Sequence, residues 1–171
     1  MTTTYICLLR AVNVGGTGKL PMAQLRAMCE DAGFQQVRTY IASGNVVMCS
    51  ADSAQQVKMA LERRLAEYAG KPVGVIVRTA AEMAQVLAAN PFKQAAPNRT
   101  VAIFLDQAPP VDTLTAVRHR KDEEIVLGAR EIYVHYGEGM ADSKLIVAAA
   151  RSGTARNMNT VAKLVEMATQ A

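Results

Sequence analysis

Val37-Arg38-Thr39-Tyr40-Ile41-Ala42-Ser43-Gly44-Asn45-Val46-Val47-Met48-Cys49 is the stretch from which the fold can be read. Two β-rich runs, Val37–Ile41 and Val46–Cys49, are parted by Ala42-Ser43-Gly44-Asn45, and Ser, Gly and Asn are residues of tight reversals, so a strand pair is predicted. Toward the N-terminus, Met22, Leu25, Met28 and Cys29 recur at the spacing of one helical face, and Gly33 stops that helix. Pro21 suits its first turn. Tyr5–Arg10, a compact apolar run, reads as a buried strand. Toward the C-terminus, Ser53 opens a second helix with Gln56 as its capping-box partner. Val57, Leu61, Leu65 and Tyr68 make its core stripe, Gly70 ends it, and Val73–Val77 returns as a strand. The order β-α-β-β-α-β is that of a ferredoxin-like sandwich, with strands ordered 4-1-3-2 and both helices on one face.

The remainder is predicted to repeat this theme less regularly. After a further helix near Ala80–Ala89, the stretch Asn90–Asn98 holds two prolines and few apolar residues, which marks a junction. The fold class expected is therefore α+β, two ferredoxin-like (alpha-beta plait) subdomains over residues 1–92 and 97–171. In the second, Val101–Leu105 reads as a strand, Val111–His119 as a helix, Glu124–Leu127 and Ile132–Tyr136 as a strand pair, and Ser143–Ala150 and Thr160–Ala168 as helices. No fourth strand is evident there. Either a helix stands in for it or Val73–Val77 pairs differently.

Half of the 171 residues are hydrophobic and a fifth charged, the balance of a globular core rather than of a disordered chain. Trp is absent, so Ala, Val, Leu, Ile and nine Met must build the core. Cys7, Cys29 and Cys49 sit in predicted strands or a helix with no CxxC pair, and His119 and His135 lie far from them in sequence. Three buried free thiols are expected, with no metal site and no cofactor. MTTTYICLLR lacks the basic flank and apolar run of a signal peptide, and no stretch approaches a membrane span. A cytoplasmic protein without a membrane partner is expected.

The net charge of +4 is unevenly spread. Residues 1–29 carry +3 from Arg10, Lys19 and Arg26 with no acid. Residues 144–171 carry another +3, and everything between them −2. Such concentration is the footprint of an anionic partner.

Three polar segments could hold that anion. Gly15, Gly16 and Gly18 let the backbone after the first strand curl its amides around an anion, with Lys19 adding charge. This is no ATPase loop: GxxxxGK requires Gly where Asn13 stands, and Ser or Thr where Leu20 stands. The dinucleotide GxGxxG is absent too. Tyr40 to Asn45, with Ser43, is the second segment. In a split βαβ it lies at the end of the sheet from which Arg10 and Asn13 depart. The third, Arg156, Asn157 and Asn159 with Lys163, flanks the start of a helix for which Thr160 or Asn159 would serve as N-cap.

Leu8-Leu9-Arg10-Ala11-Val12-Asn13-Val14-Gly15-Gly16, Tyr40-Ile41-Ala42-Ser43-Gly44-Asn45-Val46, Ser143-Lys144-Leu145 and Gly153-Thr154-Ala155-Arg156-Asn157-Met158-Asn159-Thr160 together resemble a bacterial family, domain of unknown function 1697. That resemblance implies two ferredoxin-like subdomains and lends no substrate, cofactor or catalytic residue. Members usually carry Gly where Ala11 stands, and often Trp where Met158 stands.

No His or carboxylate lies in the candidate loops, and Ser43 has no visible base, so the residues suit holding an anion better than transforming it. The expected function is binding of a phosphate-bearing ligand, a nucleotide or a nucleic-acid backbone, in a cleft between subdomains. Alternatives are an enzyme acting on a phosphorylated metabolite, and a structural or dimerising module whose polar loops are only caps and turns.

Overall fold

The computed structural model describes residues 1–12 and 19–169, and the expected glycine nest at Asn13, Gly15 and Gly16 lies outside them. The chain divides into two units, Met1–Ala84 with the chain from Lys163 onward, and Gln85–Ala162. Each carries a four-stranded antiparallel sheet. With four α-helices in all among the described residues, the fold is mixed α+β.

In the first unit the elements run β1 (Thr3–Leu9), α1 (Met22–Asp31), β2 (Gln35–Tyr40), β3 (Asn45–Ser50), α2 (Ala54–Ala69) and β4 (Val75–Thr79). The sheet order is β2-β3-β1-β4, the expected 4-1-3-2 read from its other edge. Strand side chains alternate between faces, and Tyr5, Cys7 and Leu9 of β1 point to the same face as Val46, Met48, Val75 and Val77. Leu25, Met28 and Cys29 of α1 join Val57, Leu61 and Leu65 of α2 over that face in one continuous core. Both helices therefore cover the same side.

The signals that bound α2 act as written in the sequence. Ser53 and Gln56 form a reciprocal capping box, and Gly70 ends the helix at φ 73°, its N–H donating to Ala66. Tyr68 departs from the expected core stripe. It is 47% exposed, whereas Val57, Leu61 and Leu65 are buried. On the outer edge of β4, Glu62 accepts from the Val75 N–H and Lys58 donates to the Val75 carbonyl. Two side chains of α2 thereby occupy backbone groups that an edge strand would otherwise offer to another chain. All three cysteines are free and buried, and burial pushes the Cys7 thiol up and the Cys29 thiol up to about 12.

The second unit begins within α3 (Ala80–Ala88), whose N-terminus is closed by a Thr79–Glu82 capping box. Its strands are β5 (Thr100–Phe104), β6 (Glu124–Leu127), β7 (Glu131–His135) and β8 (Thr154–Asn157), ordered β6-β7-β5-β8. Three expectations need correction. Residues 111–116 form turns, not a helix. Thr113 and Thr115 donate their hydroxyls to the carbonyls of Pro110 and Asp112, and Val111 is fully exposed, so no apolar face rewards a helix. Residues 143–150 are likewise not helical as a whole. Ile146 bridges Arg118 through two backbone hydrogen bonds of 2.9 Å, and only 3-10 turns, Gly137–Asp142 and Ala148–Ser152, flank it.

The fourth strand exists, and it is β8. Ala102 faces Arg156 and Val101 faces Asn157 across it. Helix α4 (Met158–Thr169) follows without a break, and its cap is Asn157 rather than Asn159 or Thr160: Asn157 Oδ1 accepts from the Thr160 N–H at 3.0 Å. From Lys163 onward α4 belongs to the first unit, where the Met167 carbonyl accepts from Arg38 at 2.7 Å.

Candidate anion-binding site

β1 ends at Leu9, and its neighbours there are the β2–β3 turn on one side and the start of β4 on the other. The Leu9 N–H donates to the Gly44 carbonyl and the Arg10 N–H to the Gly74 carbonyl, both at 2.9 Å. Arg10 therefore leaves the sheet between two fixed points of backbone.

A cavity of about 570 Å³ opens at that point, within the first unit. Arg10, Lys19 and Lys71 line it, and no carboxylate does among the described residues. Among the described residues none of the three cations has an acidic partner. The rest of the lining is largely apolar, with Leu20, Leu65, Pro72 and Val73, and Tyr68 is its one aromatic residue among those described. Three positive charges converging without a counter-ion make a local positive potential that favours an anion.

Ala11, between Arg10 and the rest of the loop, has φ 52°, the left-handed region. A side chain there costs about 1–2 kcal/mol, which explains a preference for glycine at this position. Ala11→Gly is expected to raise stability by up to about 1 kcal/mol, once the extra unfolded-state entropy of glycine, about 0.5–1 kcal/mol, is subtracted. Urea unfolding of the variant measures it.

The Tyr40–Asn45 segment adjoins the cavity through Val12, a wall residue that packs on Gly44. Its polar groups turn inward. Asn45 is fully buried, and its Nδ2 donates to the Tyr40 carbonyl at 2.8 Å and to Ser43 Oγ at 3.1 Å. Asn45 pairs with Leu8 in the β1–β3 register, so this turn lies at the end of the sheet from which Arg10 departs.

In the second unit Arg156 lies on β8, buried, with Nη1 donating to the Ala155 carbonyl at 2.9 Å, and burial lowers its pKa to about 10. Asn157 caps α4 and Asn159 is exposed. Lys163, in the part of α4 that belongs to the first unit, pairs with Glu166 at 3.6 Å. Of the sequence-expected residues described, Arg10 and Lys19 are the pair that one cavity brings together. Lys71 and Tyr68 escaped the sequence reading. Lys71 stands directly after Gly70, which ends α2, and is exposed.

Residues 1–133 match the family model described as "Protein of unknown function (DUF1697)". The chain belongs to DUF1697. The segments at 143–145 and 153–160 lie beyond the matched part. No curated protein matches the chain. Among solved structures it is similar to conserved bacterial protein SP0830 from Streptococcus pneumoniae, at 27% identity and a TM-score of 0.80, over 98% of this chain and 99% of that one. No described helix of this DUF1697 protein is long and apolar enough to cross a membrane.

Proposed function

We propose that the protein binds a phosphate-bearing ligand in the cavity lined by Arg10, Lys19 and Lys71. The observation that carries this reading is the convergence of three cations without a carboxylate. The second unit supplies an internal comparison. A cavity of about 340 Å³ occupies the corresponding place there, between the chain leaving β5 and the chain about to enter β8, but Asp106 and Arg151 line it together. The β-sheet topology thus accounts for a cavity in each unit, whereas the unbalanced charge belongs to the first alone. Arginine binds phosphate oxygens in pairs and lysine binds them as a point charge, so the set is chemically suited to phosphate.

The finer fold reading, a ferredoxin-like plait in each unit, is supported by the β-α-β-β-α-β order of the first and by the matching strand order of the second, where turns and 3-10 turns stand in place of both helices. Three buried thiols support a reducing compartment, the cytoplasm.

Pyrophosphate titrated calorimetrically into the full chain at low salt is expected to bind. Arg10→Ala and Lys71→Ala should each weaken it roughly tenfold, the loss of one charge-assisted hydrogen bond. Both side chains are exposed, so stability should stay within about 0.5 kcal/mol. Absence of binding to the wild-type chain, or affinity unmoved in both variants, would overturn the reading.

A further inference from the structure

The lining of the cavity combines two chemistries, cationic and apolar, and both constrain what fits. Arg10, Lys19 and Lys71 bring three cations to it, and Leu20, Leu65, Pro72, Val73 and Tyr68 also line it. An inorganic anion would satisfy the cations and leave the apolar residues in contact with water. A phosphate monoester brings between one and two negative charges, fewer than the three positive ones, and a second phosphoryl group closes that deficit.

Tyr68 decides between kinds of apolar group. The residue stays 47% exposed in the last turn of a helix whose stripe at Val57, Leu61 and Leu65 is buried. An exposed aromatic face beside an apolar wall is suited to stacking a flat ring. A nucleic-acid strand fits poorly, since such chains lie in grooves that repeat stacking platforms along successive bases. This cavity holds one aromatic ring and has the volume of a small-molecule pocket.

We infer that the cavity takes a free nucleoside diphosphate, its two phosphoryl groups held by Arg10, Lys19 and Lys71 and its base stacked on Tyr68. The inference rests on the phosphate reading above and adds the base, the charge and the exclusion of a polymer. Because every base presents a π-face, stacking of this kind tolerates any base, and ADP serves as the probe.

The test is calorimetric titration of the full chain with ADP, pyrophosphate and a short oligonucleotide, in wild type, Tyr68→Ala and Tyr68→Phe. ADP is expected to bind at least about tenfold tighter than pyrophosphate, the increment of one stacked base. Tyr68→Ala should abolish that advantage while leaving pyrophosphate affinity unchanged, and Tyr68→Phe should retain it. Equal affinity for ADP and pyrophosphate in the wild type, an ADP advantage that survives Tyr68→Ala, or an oligonucleotide that binds tighter than ADP would each overturn the inference with the phosphate reading intact. Failure of all three probes to bind would remove both together.

Discussion

Gly44→Ala is expected to cost about 3 kcal/mol or more of stability and to lower the midpoint of thermal unfolding by roughly 10 °C. Two causes add. Gly44 has φ 91°, where a side chain is strained, and a Cβ placed there would lie 2.8 Å from Val12 Cγ2 and 2.9 Å from Leu9 Cβ. Neither neighbour can withdraw cheaply: Leu9 Cβ is fixed to the backbone of a central strand, and the Leu9 N–H is bonded to the Gly44 carbonyl. Gly33 separates the two contributions. It has the same φ of 91° with nothing within 4 Å of its would-be Cβ, so Gly33→Ala reports backbone strain alone. The difference between the two variants in urea unfolding should be about 1–3 kcal/mol, the cost of overpacking. Equal losses would show that Val12 and Leu9 make room. Since Val12 also lines the cation cavity, Gly44→Ala should weaken pyrophosphate binding as well.

Asn45→Ala is expected to cost roughly 2–4 kcal/mol, because the variant leaves the Tyr40 carbonyl and Ser43 Oγ without the Nδ2 donor and leaves an unfilled volume. Asn45→Asp sharpens the test. It preserves shape but turns a donor into an acceptor facing a carbonyl, in a fully buried position, so at neutral pH it should be at least as damaging as alanine. Burial raises the folded-state pKa of the new carboxyl above its unfolded value of about 3.9. The folded state then binds the proton more tightly, so the deficit is largest above the raised pKa and shrinks as pH falls through it. Denaturant midpoints across pH would record this. An Asn45→Asp protein as stable as wild type at neutral pH would show that the amide donor holds nothing. Gly44 and Asn45 share the turn, so their losses in a double variant should not add.

These two residues show how far the sequence reaches. Tyr40–Asn45 reads as a reversal from residue type alone, since Ser, Gly and Asn have specific backbone roles in turns. That its polar side chains close the turn internally is invisible in the sequence, because the same amide could face a ligand or a carbonyl. Strand order in the first unit was legible too. Hydrophobic periodicity changes between strand and helix at each boundary, and a split βαβ permits few ways to pair the strands.

The second unit was harder for a definite reason. Thr154-Ala155-Arg156-Asn157 contains no apolar run, because its pairing with β5 is made by backbone groups that every residue carries. Its arginine is buried, so charge and burial point in opposite directions. The helix expected at 111–119 failed because apolar spacing can suggest a face that the structure never covers, and Val111 stays exposed.

By itself, then, the sequence determined the α+β class, the elements of the first sheet and the positive excess at its start. Local backbone preference, side-chain periodicity and charge are properties of neighbouring residues. Only the tertiary structure decided that Lys71 and Tyr68, about fifty residues from Lys19 in the chain, stand with Arg10 and Lys19 around one cavity. That convergence arises because β1 is central and β4 pairs beside it, with Leu9 facing Val75, so the chain leaving β1 and the chain leaving α2 for β4 must meet at the same end of the sheet.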